Sequence, residues 1–332
     1  MISETTLIKG GRLIVETCMH VEAGEKVVIL YDEDHERHAK VLSGLCFARG
    51  AFPAMIDMTP YVTAGQADTR YPMAPPEHIA RAIVDADVTL IYTNLEWANR
   101  FAHIPCVRQT VDANHRIASI EEGMDHWVLT DEDISIVSKR CADLGELAKG
   151  AKTIRVTSPA GTDLRVIIEG RPALVLPPVK QNGIMMSPIP LWTEVAWACV
   201  EDKTEGRIVV DGIQLGIGMP GTLPHPIEWT VEGGKAVAID GGAEAEALKK
   251  TIAGVQNVEI IGEVGVGISD KPPFGGPSEK GKLGTAHFAL GDNIHAYPGG
   301  QNDCKLHLDG SVRSCTFMVD DTVVVENGQW KL

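Results

Sequence analysis

Apolar positions in the first half of the chain switch between two periods. Residues 4–19 carry them on one helical face, Lys26–Tyr31 (KVVILY) is a nearly continuous apolar run, His35–Arg49 returns to the helical period, and Phe52–Met58 reads as strand. The pattern continues with a helix over Pro76–Ala86, strands over Val88–Thr93 and Arg116–Ile120, and a helix over Asp131–Leu147. Buried strands alternating with such helices predict crossover units and a mainly parallel sheet covered on both faces, an α/β domain over residues 1–150. From about residue 151 the texture changes to short runs broken by Gly and Pro: TIRVTS, DLRVIIEG, GRIVVDG, NVEIIGEVGVG, GTAHFALG and DTVVVENG, with one helix at Ala243–Ala253. That texture predicts a β-rich α+β domain over residues 151–332.

The 332 residues are 44% hydrophobic, enough to bury the core of one large or two ordinary domains. A formal net charge of −15 with no Lys/Arg-rich run argues against nucleic acid as a partner and leaves carboxylates to spare for a cation. The start carries early acidic residues and no long apolar run, so a cytoplasmic protein without export signal or membrane span is expected. Seven scattered cysteines, with no C-x-x-C pair, read as reduced, mostly buried thiols rather than a disulfide framework or a cysteine zinc site.

The sharpest chemical signal is Leu306-His307-Leu308-Asp309-Gly310. On a strand, residues two apart share a face, so His307 and Asp309 project together as a chelating pair while the leucines face a core. The bland alternative is a solvated strand face. His287 sits alone in the glycine-bounded run Gly284–Gly291, as ligand or as hydrogen-bonded core residue. Glu263, in the apolar, glycine-rich segment Ile260–Gly267, needs a cation, a hydrogen-bond network or a strand end in solvent. Glu194, the one acid of an apolar stretch over 188–197, reads by spacing as a strand-entry turn. The run Asp32-Glu33-Asp34-His35-Glu36-Arg37-His38 misses the His-Glu-x-x-His spacing and reads as a helix start, where acids suit the dipole. G-x-G-x-x-G, a Walker lysine after KVVILY and G-x-S-x-G are all absent.

Five pieces in order resemble the M29 metallopeptidases of the aminopeptidase T type over roughly residues 145–332: Gly161-Thr162-Asp163-Leu164; Glu194-Val195 with Glu205-Gly206; Gly262-Glu263-Val264-Gly265-Val266-Gly267; Gly284-Thr285-Ala286-His287 through Asp292; and Gly299-Gly300 leading to His307-Leu308-Asp309. The resemblance implies a homodimer whose α/β N-terminal domain helps close the active-site cavity. It also implies two divalent metals in the C-terminal domain, on Glu194, Glu263, His287, His307 and Asp309. Two departures stand out: Ile294 occupies the place of the family tyrosine seven residues after His287, with His295 and Tyr297 as neighbouring substitutes, and Val195-Ala196-Trp197 replaces a Phe-Thr-Ala-Pro pattern. A branch resembling 2,5-dihydroxypyridine 5,6-dioxygenase uses one iron on two histidines and an aspartate. It shares the His-Leu-Asp strand but has histidine where this chain has Glu263.

The preferred expectation is therefore a metal-dependent hydrolase of a small peptide-like or cyclic amide, with zinc, manganese or cobalt at one or two per chain activating a water. One of the glutamates, Glu194 or Glu263, doubles as proton carrier, and His295 and Tyr297 serve as oxyanion or substrate donors. The alternatives are a ferrous ring-cleaving dioxygenase acting on a hydroxylated N-heterocycle, with His287, His307 and Asp309 as ligands, and a binding protein that has lost catalysis.

Overall fold

A computed structural model describes residues 4–67, 74–94, 101, 104–120, 124, 129–179, 188–189 and 193–332. Residues 190–192 of the apolar stretch read ahead of Glu194 lie outside them. The chain divides into two compact units, Met1–Ser138 with Pro177–Pro190, and Lys139–Leu176 with Leu191–Leu332.

In the first unit, strands β1 (Lys26–Tyr31), β2 (Phe52–Asp57), β3 (Val88–Tyr92), β4 (Arg116–Ile120) and a two-residue β8 (Pro188–Ile189) form a sheet of order β2-β1-β3-β4-β8. Every pairing in it is parallel, as the alternating pattern predicts. Helix α1 (Glu4–Arg12) runs into a π-helical turn at Leu13–Cys18, and α2 (Glu36–Ala48) follows a short turn at Glu33–His35. Leu7, Ile14, Leu42 and Cys46 from these helices bury against Val27, Ile29, Leu90 and Ala118 of the sheet. The acidic run read as a helix start is one: Asp32 holds the His35 ring at 2.5 Å and accepts the Asn94 backbone N–H at 2.7 Å, tying the end of β1 to the end of β3. Helices α3 (Thr59–Ala67), α4 (Glu77–Asp85) and α5 (Pro105–Asp112) also belong to this unit; α4 falls on a stretch read as helical, whereas α3 and α5 lie where no helix is expected. Helix α6 (Asp131–Leu147) falls on the stretch read as helical.

The second unit is antiparallel. One sheet joins β5 (Thr153–Thr157), β6 (Asp163–Ile167), β10 (Glu205–Val210), β11 (Ile227–Glu232), β12 (Lys235–Asp240), β16 (Thr316–Val319), β17 (Thr322–Glu326) and β18 (Gln329–Trp330) in the order β12-β11-β10-β6-β5-β16-β17-β18. The other joins β7 (Leu174–Leu176), β9 (Glu194–Ala198), β13 (Ile261–Gly267), β14 (Ala286–Gly291) and β15 (His307–Val312) in the order β15-β14-β13-β9-β7. Trp197 of β9 stacks on Phe317 of β16 at 6.2 Å between ring centres, where the two sheets share a core. Helix α7 (Ala243–Ile252) is the helix read in this half. No cysteine forms a disulfide and six of the seven are buried. Among the described residues no helix is long and apolar enough to cross a membrane.

Candidate metal centre

Register places the chemistry. Across β9, β13, β14 and β15 the pairs Glu194–Gly267, Gly265–His287, Ala289–Asp309, Gly291–His307 and Ala198–Glu263 lie side by side, so these residues share one face. The opposite face carries Val195, Trp197, Val264, Val266, Phe288, Leu290 and Leu308, all buried in the core. On the chemical face every charged or imidazole side chain has a Gly or Ala across the ladder. A β-carbon at Gly265 would overlap the His287 ring, so the glycine is what lets that imidazole lie flat over β13.

Five side chains predicted to work together therefore meet, all buried. Glu263 is the hub: its Oε1 lies 3.1 Å from His287 Nε2 and its Oε2 2.9 Å from His307 Nε2. Glu194 Oε2 is 3.4 Å from His287 Nε2, and Asp309 Oδ1 is 3.4 Å from His307 Nε2. These form two overlapping groups of ligand atoms, Glu194–Glu263–His287 and Glu263–His307–Asp309, each within 4.8 Å of one another and able to hold a metal ion. The strand end in solvent and the solvated strand face are thus not realised: Glu263 is 1% exposed and Asp309 0%. Glu194 begins a wholly buried strand rather than sitting in a turn.

Electrostatics follow from that burial. Desolvation pushes the Glu263 carboxyl up, but His287 and His307 outweigh it and hold the group at about 2. Burial disfavours a charged His307, yet Asp309 and Glu263 hold its imidazolium up to about 10. His287 is also raised, against burial, by Glu194 and Glu263. Asp309 is held well below the carboxylate range, against burial, chiefly by Lys280 and then His307.

The sequence reading missed Lys280. The turn Pro277–Gly281 lays it over the face, where its Nζ meets Asp309 Oδ2 at 2.6 Å with both side chains buried. The preceding Glu279 accepts Ser311 Oγ at 2.9 Å and a two-pronged Arg313 guanidinium at 2.8 and 2.6 Å, which fixes the turn. Of the two substitutes proposed for the absent tyrosine, Tyr297 reaches the centre. Its ring stacks on His307 at 5.6 Å and its hydroxyl hydrogen-bonds Glu263; burial first, then the nearby carboxylates, push the phenol well above its usual range. His295, 41% exposed at its side chain, instead bonds Asp292 Oδ1 at 2.7 Å, and Ile294 is exposed.

The fold carries a buried carboxylate–imidazole cluster able to hold a metal ion, which defines the class as a protein with a candidate metal centre. Residues 12–331 match the NicX family, 2,5-dihydroxypyridine 5,6-dioxygenase, and the chain belongs to that family. It is 26% identical over 200 residues to the 2,5-dihydroxypyridine 5,6-dioxygenase of Pseudomonas putida, and the match spans 55% of each chain, about half the length of that curated relative. The structure of the 2,5-dihydroxypyridine dioxygenase from Pseudomonas putida KT2440 superposes with a TM-score of 0.79 at 20% identity, over 100% of this chain and 98% of that one. Wild-type AmpT from Thermus thermophilus follows with a TM-score of 0.66 at 17% identity, over 99% and 100%. At such identities both structures speak to fold alone.

The family match overturns the expectation of a metal-dependent, aminopeptidase-like hydrolase. That expectation rested on Glu263 standing where the iron branch has histidine. His287, on the neighbouring strand, brings its Nε2 to 3.1 Å from Glu263, so two imidazoles flank that carboxylate, as the dioxygenase alternative on His287, His307 and Asp309 requires.

Proposed function

We propose that the chain is a non-haem iron dioxygenase that opens a hydroxylated N-heterocycle of the 2,5-dihydroxypyridine type, its iron held by His307, Asp309 and Glu263, with His287 as a further imidazole donor. The observation that carries this is the aim of His307. Its Nδ1 lies 2.8 Å from the Asp292 backbone carbonyl, which can only accept, so Nδ1 keeps its proton and, once a cation displaces the other, the Nε2 lone pair would face the carboxylates. Imidazole and carboxylate donors in this mix suit ferrous iron. Zinc, manganese or cobalt would find the same donors, but the family's oxygen chemistry needs a redox metal.

Charge balance supports a single ion. Glu194, Glu263 and Asp309 set against Lys280 leave two negative charges in a dry site, which one divalent cation neutralises. Ferrous iron bound there lets dioxygen react with a closed-shell ring, and no external reductant is needed because both oxygen atoms end in the product. Lys280 ties down one oxygen of Asp309 and leaves the other beside His307. Glu263, with Tyr297 donating to it, stays ionised and would hold the iron as a carboxylate. Burial of all these groups excludes water that would compete for open positions.

The test is an aerobic assay of ferrous-loaded protein with 2,5-dihydroxypyridine and related hydroxypyridines, following ring absorbance and dissolved oxygen together. One oxygen consumed per ring lost, and no turnover by zinc-loaded protein, is expected. Ring loss without oxygen uptake would remove the reading.

A further inference from the structure

We propose that the chain carries a second, peripheral divalent-cation site on Asp292, His295 and Asp303, a clasp across the neck of the connection between β14 and β15. Each of the three offers a ligand atom, and those atoms lie within 4.8 Å of one another. Asp292 is 1% exposed, while His295 is partly open and Asp303 exposed, so the group has a buried anchor and a side open to solvent. One imidazole and two carboxylates, with room for water, suit zinc or manganese. His295 Nδ1 already lies 2.7 Å from Asp292 Oδ1, and Asp303 brings the third donor from the far end of the segment.

The position gives the site a consequence. Asp292 and Asp303 stand at the two ends of the segment that holds Tyr297 against His307. Asp292 also supplies the carbonyl that orients His307. The neck is already laced by Asn302, whose backbone N–H reaches Asn293 Oδ1 at 2.8 Å and whose side-chain amide reaches the Gly291 carbonyl at 2.7 Å. A cation joining Asp292 to Asp303 closes the same loop with a stronger bond, and it stiffens both the acceptor of His307 and the seat of Tyr297. This inference does not depend on which reaction the buried centre performs.

Metal-free protein and the variants His295→Ala, Asp303→Asn and His307→Ala are equilibrated with zinc, and bound metal is counted by elemental analysis. Amide hydrogen exchange over 292–303 is followed with and without zinc. The unaltered protein should bind one zinc more than either His295→Ala or Asp303→Asn, with slower exchange across the segment only where that ion is present. His307→Ala should keep the slowed exchange while losing metal from the buried centre. Equal zinc content in the unaltered protein and both clasp variants, or exchange over 292–303 that zinc leaves unchanged, would overturn the site.

Discussion

Strands β3 and β13–β15 are all completely buried, yet they are built on opposite terms. Val88–Tyr92 encloses only apolar residues and one threonine, whereas β13–β15 enclose Glu263, His287, His307 and Asp309. The apolar strand explains itself, since burial of each such side chain is worth about 1.5–3 kcal/mol. The charged strands do not: each buried ion carries a desolvation penalty of several kcal/mol that packing does not return. Their charges are tolerated because they sit in complementary pairs on a face cleared by glycine and alanine, an arrangement able to hold a metal ion.

Substitutions should separate the two regions. Glu263→Ala, which removes the carboxylate between both imidazoles, should lower affinity for ferrous iron by at least ~100-fold and abolish turnover. Metal analysis showing full occupancy in the folded variant would take Glu263 out of the centre. Lys280→Met leaves Asp309 buried without its ammonium and should destabilise the metal-free protein by about 3–5 kcal/mol in denaturant unfolding, with part of the loss restored by iron. In the parallel sheet, Leu90→Ala should cost a similar ~2–5 kcal/mol through the cavity it leaves while the number of ions bound per chain stays the same.

A pH titration sharpens the contrast further. In the metal-free protein His307, raised to about 10 from 6.5, adds stability that is complete below pH 6.5 and is lost as pH climbs through 10. A cation must displace that proton, so calorimetry should show iron affinity rising by roughly tenfold per pH unit above neutrality. A flat profile would mean that His307 is already neutral and the centre less tightly coupled than its contacts imply. The smallest effect is expected of Tyr297→Phe, about a tenfold drop in turnover with iron content unchanged, because the ring still stacks on His307 and only the hydroxyl is lost.

Much of this was open to inspection in the sequence. The parallel sheet followed from period alone, and His307-Leu308-Asp309 announced itself because two-residue alternation fixes which side chains share a face. Other parts depend on contacts that no local pattern encodes. By spacing Glu194 reads as a strand-entry turn, and only the pairing of β9 with Gly267 of β13 sets its carboxylate on the face of the other ligands. Lys280 looks like a turn lysine in Pro277-Ser278-Glu279-Lys280-Gly281, and only the packing of that turn onto β15 puts its ammonium on Asp309. The expectation of a hydrolase hung on one position, Glu263, whereas the family match extends over residues 12–331.

The most direct test of the central claim is the fate of isotopic oxygen. Ferrous-loaded protein turned over with a hydroxylated pyridine under ¹⁸O₂ in ordinary water should give a ring-opened product carrying both labelled atoms, read by mass spectrometry with quenching fast enough to limit exchange. Product formed at the same rate with no label from the gas, its new oxygen drawn from water, would contradict the dioxygenase account.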